Sequence, residues 1–283
     1  MSTLVGDTLV ALDRVTASLP RGEARAGQRR MAEAVASAIE RRRHLVVQAG
    51  TGTGKTLAYL VPAVLSGRRV VVATATLALQ DQLVGQDLPA LALALGRPFS
   101  WAVLKGRSNY FCLQRAAELA AGAAGGEQLQ LVRDRGRPEV ARLVAWAPTS
   151  RAGDRAELDV EPSPSAWASV SVSARDCPGA HRCPVGQLCF AEKARQAAAD
   201  ADVIVVNAHL YAAHLGSGGV VLPEHDVVVL DEAHVVEDVV AAAAGVELTP
   251  GRFRGVRSAV GSVVATASSD ADDGTDDVGG ALL

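Results

Sequence analysis

A mixed α/β fold with a parallel sheet is the fold class that this sequence predicts, and two observations support it. Short, continuous apolar runs alternate with segments of helical periodicity, and a glycine-rich loop joins the first such run to the helix that follows. Strands that are apolar on both faces are typical of parallel sheets covered by helices on both sides. With 283 residues, 49% of them hydrophobic, the chain can bury a sizeable core.

The first strand–loop–helix unit is predicted near the N-terminus. Residues 28–42 carry apolar side chains at helical spacing, residues 44–49 (HLVVQA) form a β-branched run that predicts a buried strand, and residues 57–65 return to a helical pattern. The apolar positions of the first helix are Met31, Val35, Ala38 and Ile39.

Four later apolar runs predict further strands, at residues 69–74, 100–104, 202–206 and 226–230, and a helix is expected through Gln80, Gln82 and Leu83. Residues 112–190 differ in character, because they hold an Ala/Gly stretch, Pro/Ser-rich segments and all four cysteines. We therefore expect an insertion there. The predicted organisation is a leader (1–24), a first part of the α/β domain (25–111), the insertion (112–190), a second part (191–245) and a Ser/Asp/Gly-rich tail within 246–283 that is expected to be disordered.

Charge and targeting signals exclude few classes of function. The net charge is −3, and residues 262–283 hold five aspartates and no lysine or arginine, which leaves a net charge of +2 on the other residues. Such a mildly positive body permits DNA binding without demonstrating it. The first 25 residues lack the pattern of a secretory signal, and no apolar run approaches the length of a membrane span. The expectation is a cytoplasmic protein with no membrane partner, in which four cysteines are more typical of a metal site than of disulfides.

A phosphate-binding loop is predicted at residues 49–56 (AGTGTGKT). Glycines after a strand let backbone N–H groups surround phosphate oxygens, and the following helix contributes its positive N-terminal end. Lys55 is expected to reach the β- and γ-phosphates of ATP, and Thr56 to bind Mg²⁺. The remaining nucleotide-binding positions of the loop are Ala49, Gly50, Thr51, Gly52, Thr53 and Gly54.

A second acidic motif follows a predicted strand at residues 231–234 (DEAH). Ligands of open α/β sheets gather at the carboxyl ends of the strands, so Asp231 is placed to bind Mg²⁺ beside the phosphate loop. Glu232 is the candidate that polarises the attacking water, whereas His234 is expected to report nucleotide state to a partner surface. The two motifs together indicate an NTPase of helicase superfamily 2.

Cys112, Cys177, Cys183 and Cys189 are separated by 64, five and five residues. Zinc ribbons usually bring their ligands in closer pairs, so four thiolates at this spacing favour an iron–sulfur cluster. Zinc and unligated buried cysteines stay open as alternatives. His181 lies between two of the cysteines and is expected to be a loop residue.

These motifs occur in the order found in DinG/XPD-type iron–sulfur helicases, which the chain resembles over residues 25–245. The order is the phosphate loop, KGRSNYFC (105–112), three spaced cysteines, VVNAHL (205–210) and DEAH. The resemblance implies a RecA-like P-loop NTPase domain interrupted by a [4Fe-4S] domain. It also implies ATP-dependent movement on single-stranded or forked DNA in the 5′–3′ direction, with roles in DNA repair.

By the same resemblance, the four cysteines are cluster ligands, Lys55 and Thr56 contact the nucleotide and Mg²⁺, and Asp231 and Glu232 act in hydrolysis. Gln28, with Arg25, matches the adenine-side glutamine motif loosely, and residues 74–82 resemble a segment that contacts the DNA backbone. Asn207 and His209 are separated by an alanine where many relatives have them adjacent, so their roles are left open.

The family also implies a second RecA-like domain, which supplies arginines to the γ-phosphate and which the sequence after DEAH is expected to lack. Residues 246–260 could begin an arch-like insertion. The leading hypothesis is therefore an N-terminal motor fragment of an ATP-dependent DNA helicase, weakly active or inactive alone. The alternative is a non-catalytic, metal-bearing nucleic-acid-binding module or regulator, and an RNA-directed ATPase is disfavoured by the cysteines.

Overall fold

The centre of the fold is a parallel sheet of four strands, β1 (Val70–Thr74), β2 (Trp101–Val103), β3 (Val203–Asn207) and β4 (Val227–Leu230). Their order is β2-β3-β1-β4, and every neighbouring pair is parallel. The structure is a computed structural model that describes residues 3–19, 22–23, 25–50, 52–123 and 137–244. The predicted parallel sheet and these four strands are confirmed.

The described part of the chain also contains eleven helices. They are α1 (Leu4–Ser18), α2 (Ala26–Arg41), α3 (Lys55–Leu65), α4 (Leu77–Gln82), α5 (Leu88–Leu95), α6 (Leu113–Ala123), α7 (Arg137–Trp146), α8 (Pro164–Val170), α9 (Phe190–Asp200), α10 (Ala208–Gly216) and α11 (Val236–Ala244). A π-helical turn, Leu83–Asp87, joins α4 to α5, and short 3₁₀ turns occur at Arg107–Asn109, Ala147–Thr149, Arg155–Glu157, Gly186–Leu188 and Ala233–Val235.

The sheet is covered on both faces because successive side chains of a strand point to opposite sides. Val70 and Val72 lie on the face covered by α1, α2, α3 and α5. Val71 and Ala73 lie on the opposite face, with residues of α9 and α10. The predicted helix over residues 28–42 is confirmed as α2. Sequence reasoning assigned no element to residues 1–24, where α1 packs into the first of these two clusters through Leu12 and Val15.

The strand predicted at residues 44–49 is wrong. These residues form no strand, and Val46 is 95% exposed, with Leu45 and Val47 also exposed. An apolar run becomes a strand only when a neighbouring strand completes its hydrogen bonds, and within the described part of the chain this segment pairs with none. The apolar, β-branched pattern of residues 44–49 is typical of a strand. Whether such a segment pairs with another strand depends on residues far away in the sequence.

A separate hydrophobic cluster lies among the residues predicted as an insertion. It is built from Phe111, Leu143, Trp167 and their neighbours on α7 and α8. The indole N–H of Trp167 donates to the carbonyl of Ser108 at 2.7 Å. The cysteine-bearing segment thus has a small core of its own, although residues 1–243 cluster as one compact unit.

The predicted arch-like segment and tail, residues 246–283, lie outside the residues that the structure describes. Among the described helices, none is long and apolar enough to cross a membrane.

Candidate functional site

The phosphate loop joins residue 49 to the start of α3, as the sequence predicted. Gly52 and Gly54 adopt left-handed φ angles of 74° and 78°, which residues with a Cβ rarely adopt. The Thr53 hydroxyl donates to the Gly50 carbonyl at 2.9 Å and so closes the turn. Lys55 and Thr56 open α3 directly after the loop. Thr51 lies outside the described residues, and Ala49 precedes the turn.

Gln28 and Arg25, assigned loosely to adenine recognition, both contact the phosphate loop in this structure. The buried side chain of Gln28 donates to the Gly54 carbonyl at 3.0 Å, and the Arg25 guanidinium donates to the Gly52 carbonyl. A Cβ added at Gly54 would collide with the Gln28 amide. Gln28 therefore fixes the backbone immediately before Lys55.

Lys55 and the DEAH segment meet across the carboxyl end of the sheet. The Lys55 ammonium forms a 2.7 Å ion pair with Glu232 Oε1, joining residues 177 positions apart. The hydrogen bond to Glu232 raises the pKa of Lys55, and the hydrogen bond from Lys55 lowers the pKa of Glu232. Glu232 is thus ionised at neutral pH. It also has a left-handed φ of 56°, an uncommon angle for a residue with a Cβ.

Asp231, Thr56 and Tyr59 form the second half of this site. The Tyr59 hydroxyl donates to Asp231 Oδ2 at 3.1 Å and lies close to the side chain of Thr56. Burial raises the pKa of the Tyr59 phenol well above its ordinary value, and the Asp231 charge raises it further, so the phenol stays protonated. A hydroxyl and a carboxylate, both oxygen donors that suit Mg²⁺, therefore lie close together.

All four cysteines line one cavity of about 200 Å³. They form no disulfides, and each is partly buried. Cys112 immediately precedes α6, and Cys189 immediately precedes α9. Burial raises the pKa of the Cys112 thiol, and the thiols of Cys189 and Cys177 raise it further. A positive charge near Cys112, such as a metal, would lower this pKa.

The loop that carries Cys177 and Cys183 depends on close backbone packing. Gly179 has a φ of 83°, and the Cys183 N–H donates to its carbonyl at 3.1 Å. A Cβ added at Gly186 would collide with the carbonyl oxygen of Ala180. His181 is exposed and is not among the residues that line the cavity.

Lys105 connects the sheet domain to the cysteine-bearing segment. Its ammonium lies 2.7 Å from Asp154 and 2.9 Å from Asp81 of α4, while its side chain is 1% exposed. Burial opposes the charge, but the hydrogen bonds to Asp154 and Asp81 outweigh it and raise the pKa of Lys105. The Lys105 N–H also donates to the Tyr110 hydroxyl at 3.0 Å.

The segment predicted to contact DNA, residues 74–82, has both internal and exposed positions. Gln80 is fully buried and donates to the Val205 carbonyl at 3.2 Å, so its role is to hold α4 against the sheet. Thr76 is exposed and caps α4 by accepting from the Leu79 N–H at 3.2 Å. Exposed positions available to a ligand are Thr76, Leu77, Ala78, Asp81 and Gln82.

Three other predicted positions have defined surroundings. Asn207 caps α10 by accepting from the Leu210 N–H at 2.8 Å, whereas His209 is exposed. His234 is exposed, with its Nδ1 3.5 Å from Glu232 Oε2.

Sequence reasoning assigned no role to Tyr59, Lys105 or Asp154. Tyr59 could have been noticed because it lies one helical turn after Thr56 and therefore on the same face of α3. Lys105 could have been noticed as a lysine directly after an apolar strand. No local pattern indicates Asp154 as its partner.

Comparison with known proteins agrees with this arrangement. Residues 27–104 match the DEAD/DEAH box helicase family. The chain is 46% identical over 265 residues to the ATP-dependent helicase DinG of Mycobacterium tuberculosis, covering 88% of this chain and 40% of that protein. It is 42% identical to the ATP-dependent DNA helicase YoaA of Escherichia coli, covering 82% and 36%. It is also 30% identical to the 3'-5' exonuclease DinG of Bacillus subtilis, covering 77% and 23%.

The parallel sheet, the phosphate loop and the adjacent acidic segment define a DEAD/DEAH box helicase domain, a class that uses ATP with Mg²⁺. Within that class, the chain is similar to the DinG and YoaA helicases over most of its own length. It spans 40% of the length of the M. tuberculosis relative.

Proposed function

We propose that this chain is the ATP-binding motor portion of a DNA helicase that couples ATP hydrolysis to movement on single-stranded DNA, in the 5′–3′ direction, and to strand separation. The observation that carries this proposal is the convergence of Lys55, Thr56, Asp231 and Glu232 at the carboxyl end of the sheet. The printed names of the DinG and YoaA relatives support it.

In the proposed mechanism, the backbone of the phosphate loop and Lys55 hold the β- and γ-phosphates. Thr56 and Asp231 would bind Mg²⁺, which neutralises charge on the phosphates when bound. Glu232 would orient the attacking water and accept a proton from it, since a glutamate carboxylate is ionised at neutral pH. Because Lys55 is paired with Glu232 here, ATP must separate the pair, which frees Glu232 as the phosphates engage Lys55.

The proposed DNA contact is the exposed part of residues 74–82, centred on Thr76 at the start of α4. Its hydroxyl and the neighbouring backbone can contact phosphate oxygens, a type of contact that positions DNA without reading its sequence. Lys105 pairs with Asp81 of α4 and with Asp154, and so ties α4 to the cysteine-bearing segment. We propose that DNA bound at α4 lies next to that segment.

DNA-stimulated hydrolysis tests the proposed function. We propose that hydrolysis requires an arginine from a second RecA-like domain, so the chain is mixed with such a domain from a DinG relative. Phosphate release is expected to be slow without DNA and to rise at least tenfold with a single-stranded DNA oligonucleotide. Equal stimulation by RNA would instead indicate an RNA-directed ATPase. ATP binding with no hydrolysis in any mixture would favour the non-catalytic regulator.

We also propose that Cys112, Cys177, Cys183 and Cys189 hold a [4Fe-4S] cluster in a domain inserted at residues 112–190. Among the described residues, no three His, Cys, Asp or Glu side chains are grouped closely enough to hold a single metal ion. Zinc would need its thiolates about 2.3 Å from one centre. Four thiols around a shared cavity suit a cluster of several atoms better than a single zinc ion.

Metal analysis of anaerobically purified protein tests the cluster. Four iron and four sulfide per chain are expected, with a broad visible absorption. Cys183→Ser is expected to lose most of both, because it removes one of four thiolate ligands. Ser173→Ala, a change near Cys177 that removes no thiol, is the control and should keep the iron. Zinc at one per chain, or no metal, would contradict this proposal and leave the ATP site unaffected.

A further inference from the structure

Tyr59 is a buried phenol placed directly behind the two proposed Mg²⁺ ligands. Tyr59 is 3% exposed, and its hydroxyl donates a hydrogen bond to Asp231 and lies close to the side chain of Thr56. We propose that Tyr59 is a positioning residue that orients Asp231 and Thr56 for Mg²⁺, although it does not touch the metal itself. This inference rests on the proposed ATPase function and assigns a role to a further residue of the same site.

The Asp231 carboxylate is fixed from two directions. Oδ2 accepts from Tyr59 at 3.1 Å, and Oδ1 accepts from the N–H of Glu232 at 3.1 Å. The Asp231 N–H in turn donates to the Ala73 carbonyl at 2.9 Å, which holds the backbone against β1. Each carboxylate oxygen has two lone pairs, so both keep acceptor capacity for a cation. The hydrogen bonds thus fix the orientation of the group without using up its ability to bind metal.

The phenol can serve both ligands because a tyrosine hydroxyl donates one hydrogen bond and also accepts. Its proton is directed to the Asp231 carboxylate, which can only accept. The Thr56 hydroxyl can then donate its own proton to the phenol oxygen and keep its lone pairs for Mg²⁺. One side chain would thereby set the direction of two ligands that come from different parts of the sequence.

The geometric demands of Mg²⁺ explain why such support would matter. Mg²⁺ requires nearly ideal octahedral geometry at about 2.0–2.1 Å, so small rotations of a ligand weaken binding. Loss of an outer partner that orients a metal ligand typically costs about 10- to 100-fold in metal affinity. A purely structural tyrosine, by contrast, would affect the stability of the fold without affecting the dependence on Mg²⁺.

The test is a Mg²⁺ titration of mant-ATP binding to the full chain, followed by fluorescence. Tyr59→Phe removes only the hydroxyl and is expected to raise the Mg²⁺ midpoint about 10-fold or more. Binding of mant-ATP in EDTA should be unchanged. Tyr211→Phe is the matched control, because it removes a tyrosine hydroxyl from α10, where the ring contacts His214. Tyr59→Leu serves as a second variant without the hydroxyl if the phenylalanine variant does not fold.

A combined variant separates positioning from a general effect. In an Asp231→Asn background, Tyr59→Phe is expected to change the Mg²⁺ midpoint much less, since its effect acts partly through that carboxylate. If the wild-type chain bound mant-ATP with Mg²⁺ and Tyr59→Phe had the same Mg²⁺ midpoint, this inference would be overturned. The proposed function would not be affected by that result. Failure of the wild-type chain to bind mant-ATP with Mg²⁺ would instead overturn the proposed function.

Discussion

Replacing Lys105 with methionine is expected to lower the melting temperature of the chain by about 10 °C. Removing one partner of a buried ion pair typically costs about 3–5 kcal/mol, because the remaining charge is left unpaired. In a domain of this size, each kcal/mol shifts the melting temperature by roughly 2–4 °C. The side chain of Asp154 is 11% exposed and would lose its cation, whereas that of Asp81 is 48% exposed and can be solvated. Thermal unfolding followed by circular dichroism measures the change.

Lys193→Met is the matched control for this prediction. Lys193 is exposed on α9, with its ammonium 5.8 Å from the centre of the Phe190 ring. An exposed cation–π contact contributes only about 0.5–1 kcal/mol, so a shift of no more than a few degrees is expected. Similar shifts for the two variants would show that the buried pair with Asp154 does not contribute more than a surface lysine.

The pH dependence of the Lys105 contribution follows from the direction of its pKa shift. The pKa is raised in the folded chain, so the contribution is fully present below the ordinary lysine pKa of 10.5. This stabilising contribution is lost only when the pH rises above the pKa of Lys105 in the folded chain, which is higher than 10.5. The difference in melting temperature between wild type and Lys105→Met should therefore stay constant from pH 6 to 9.

Replacing Glu232 with glutamine is expected to lower the rate of ATP hydrolysis by about 10²- to 10⁴-fold while preserving ATP binding. The amide keeps the shape of the side chain but cannot accept a proton from water, and loss of a general base typically costs this much. The rate is measured with the reconstituted pair of motor domains and single-stranded DNA. A regulator that does not hydrolyse ATP would show no change with this variant.

Binding of mant-ATP separates the roles of Glu232 and Lys55. Glu232→Gln should bind mant-ATP no more weakly than wild type, and up to about fivefold more tightly, since a partly exposed ion pair contributes at most about 1 kcal/mol. Lys55→Met should weaken binding, because it removes the cation that is proposed to contact the phosphates. If Glu232→Gln weakened binding as strongly as Lys55→Met, the proposed division of roles would be wrong.

The sequence by itself determined the elements whose signals are local. Four of the five predicted strands and the helices α2, α3 and α4 occur where the apolar pattern predicted them. Glycines at positions 52 and 54 already indicated a loop that needs left-handed backbone angles. The sequence also predicted that the phosphate loop lies near Asp231, although that prediction assumed that residues 44–49 form a strand of the sheet, which they do not.

Only the tertiary structure decided the surroundings of individual side chains. Residues 44–49 have the composition of a strand, yet they pair with no described strand, and Gln80 is internal although its segment resembles a DNA contact. Tyr59 meets Asp231 across 172 positions of sequence, and Lys105 meets Asp154 from the cysteine-bearing segment. Local patterns set backbone conformation and the face that is buried. The partner of a buried polar group depends instead on how distant elements pack together, which no short segment encodes.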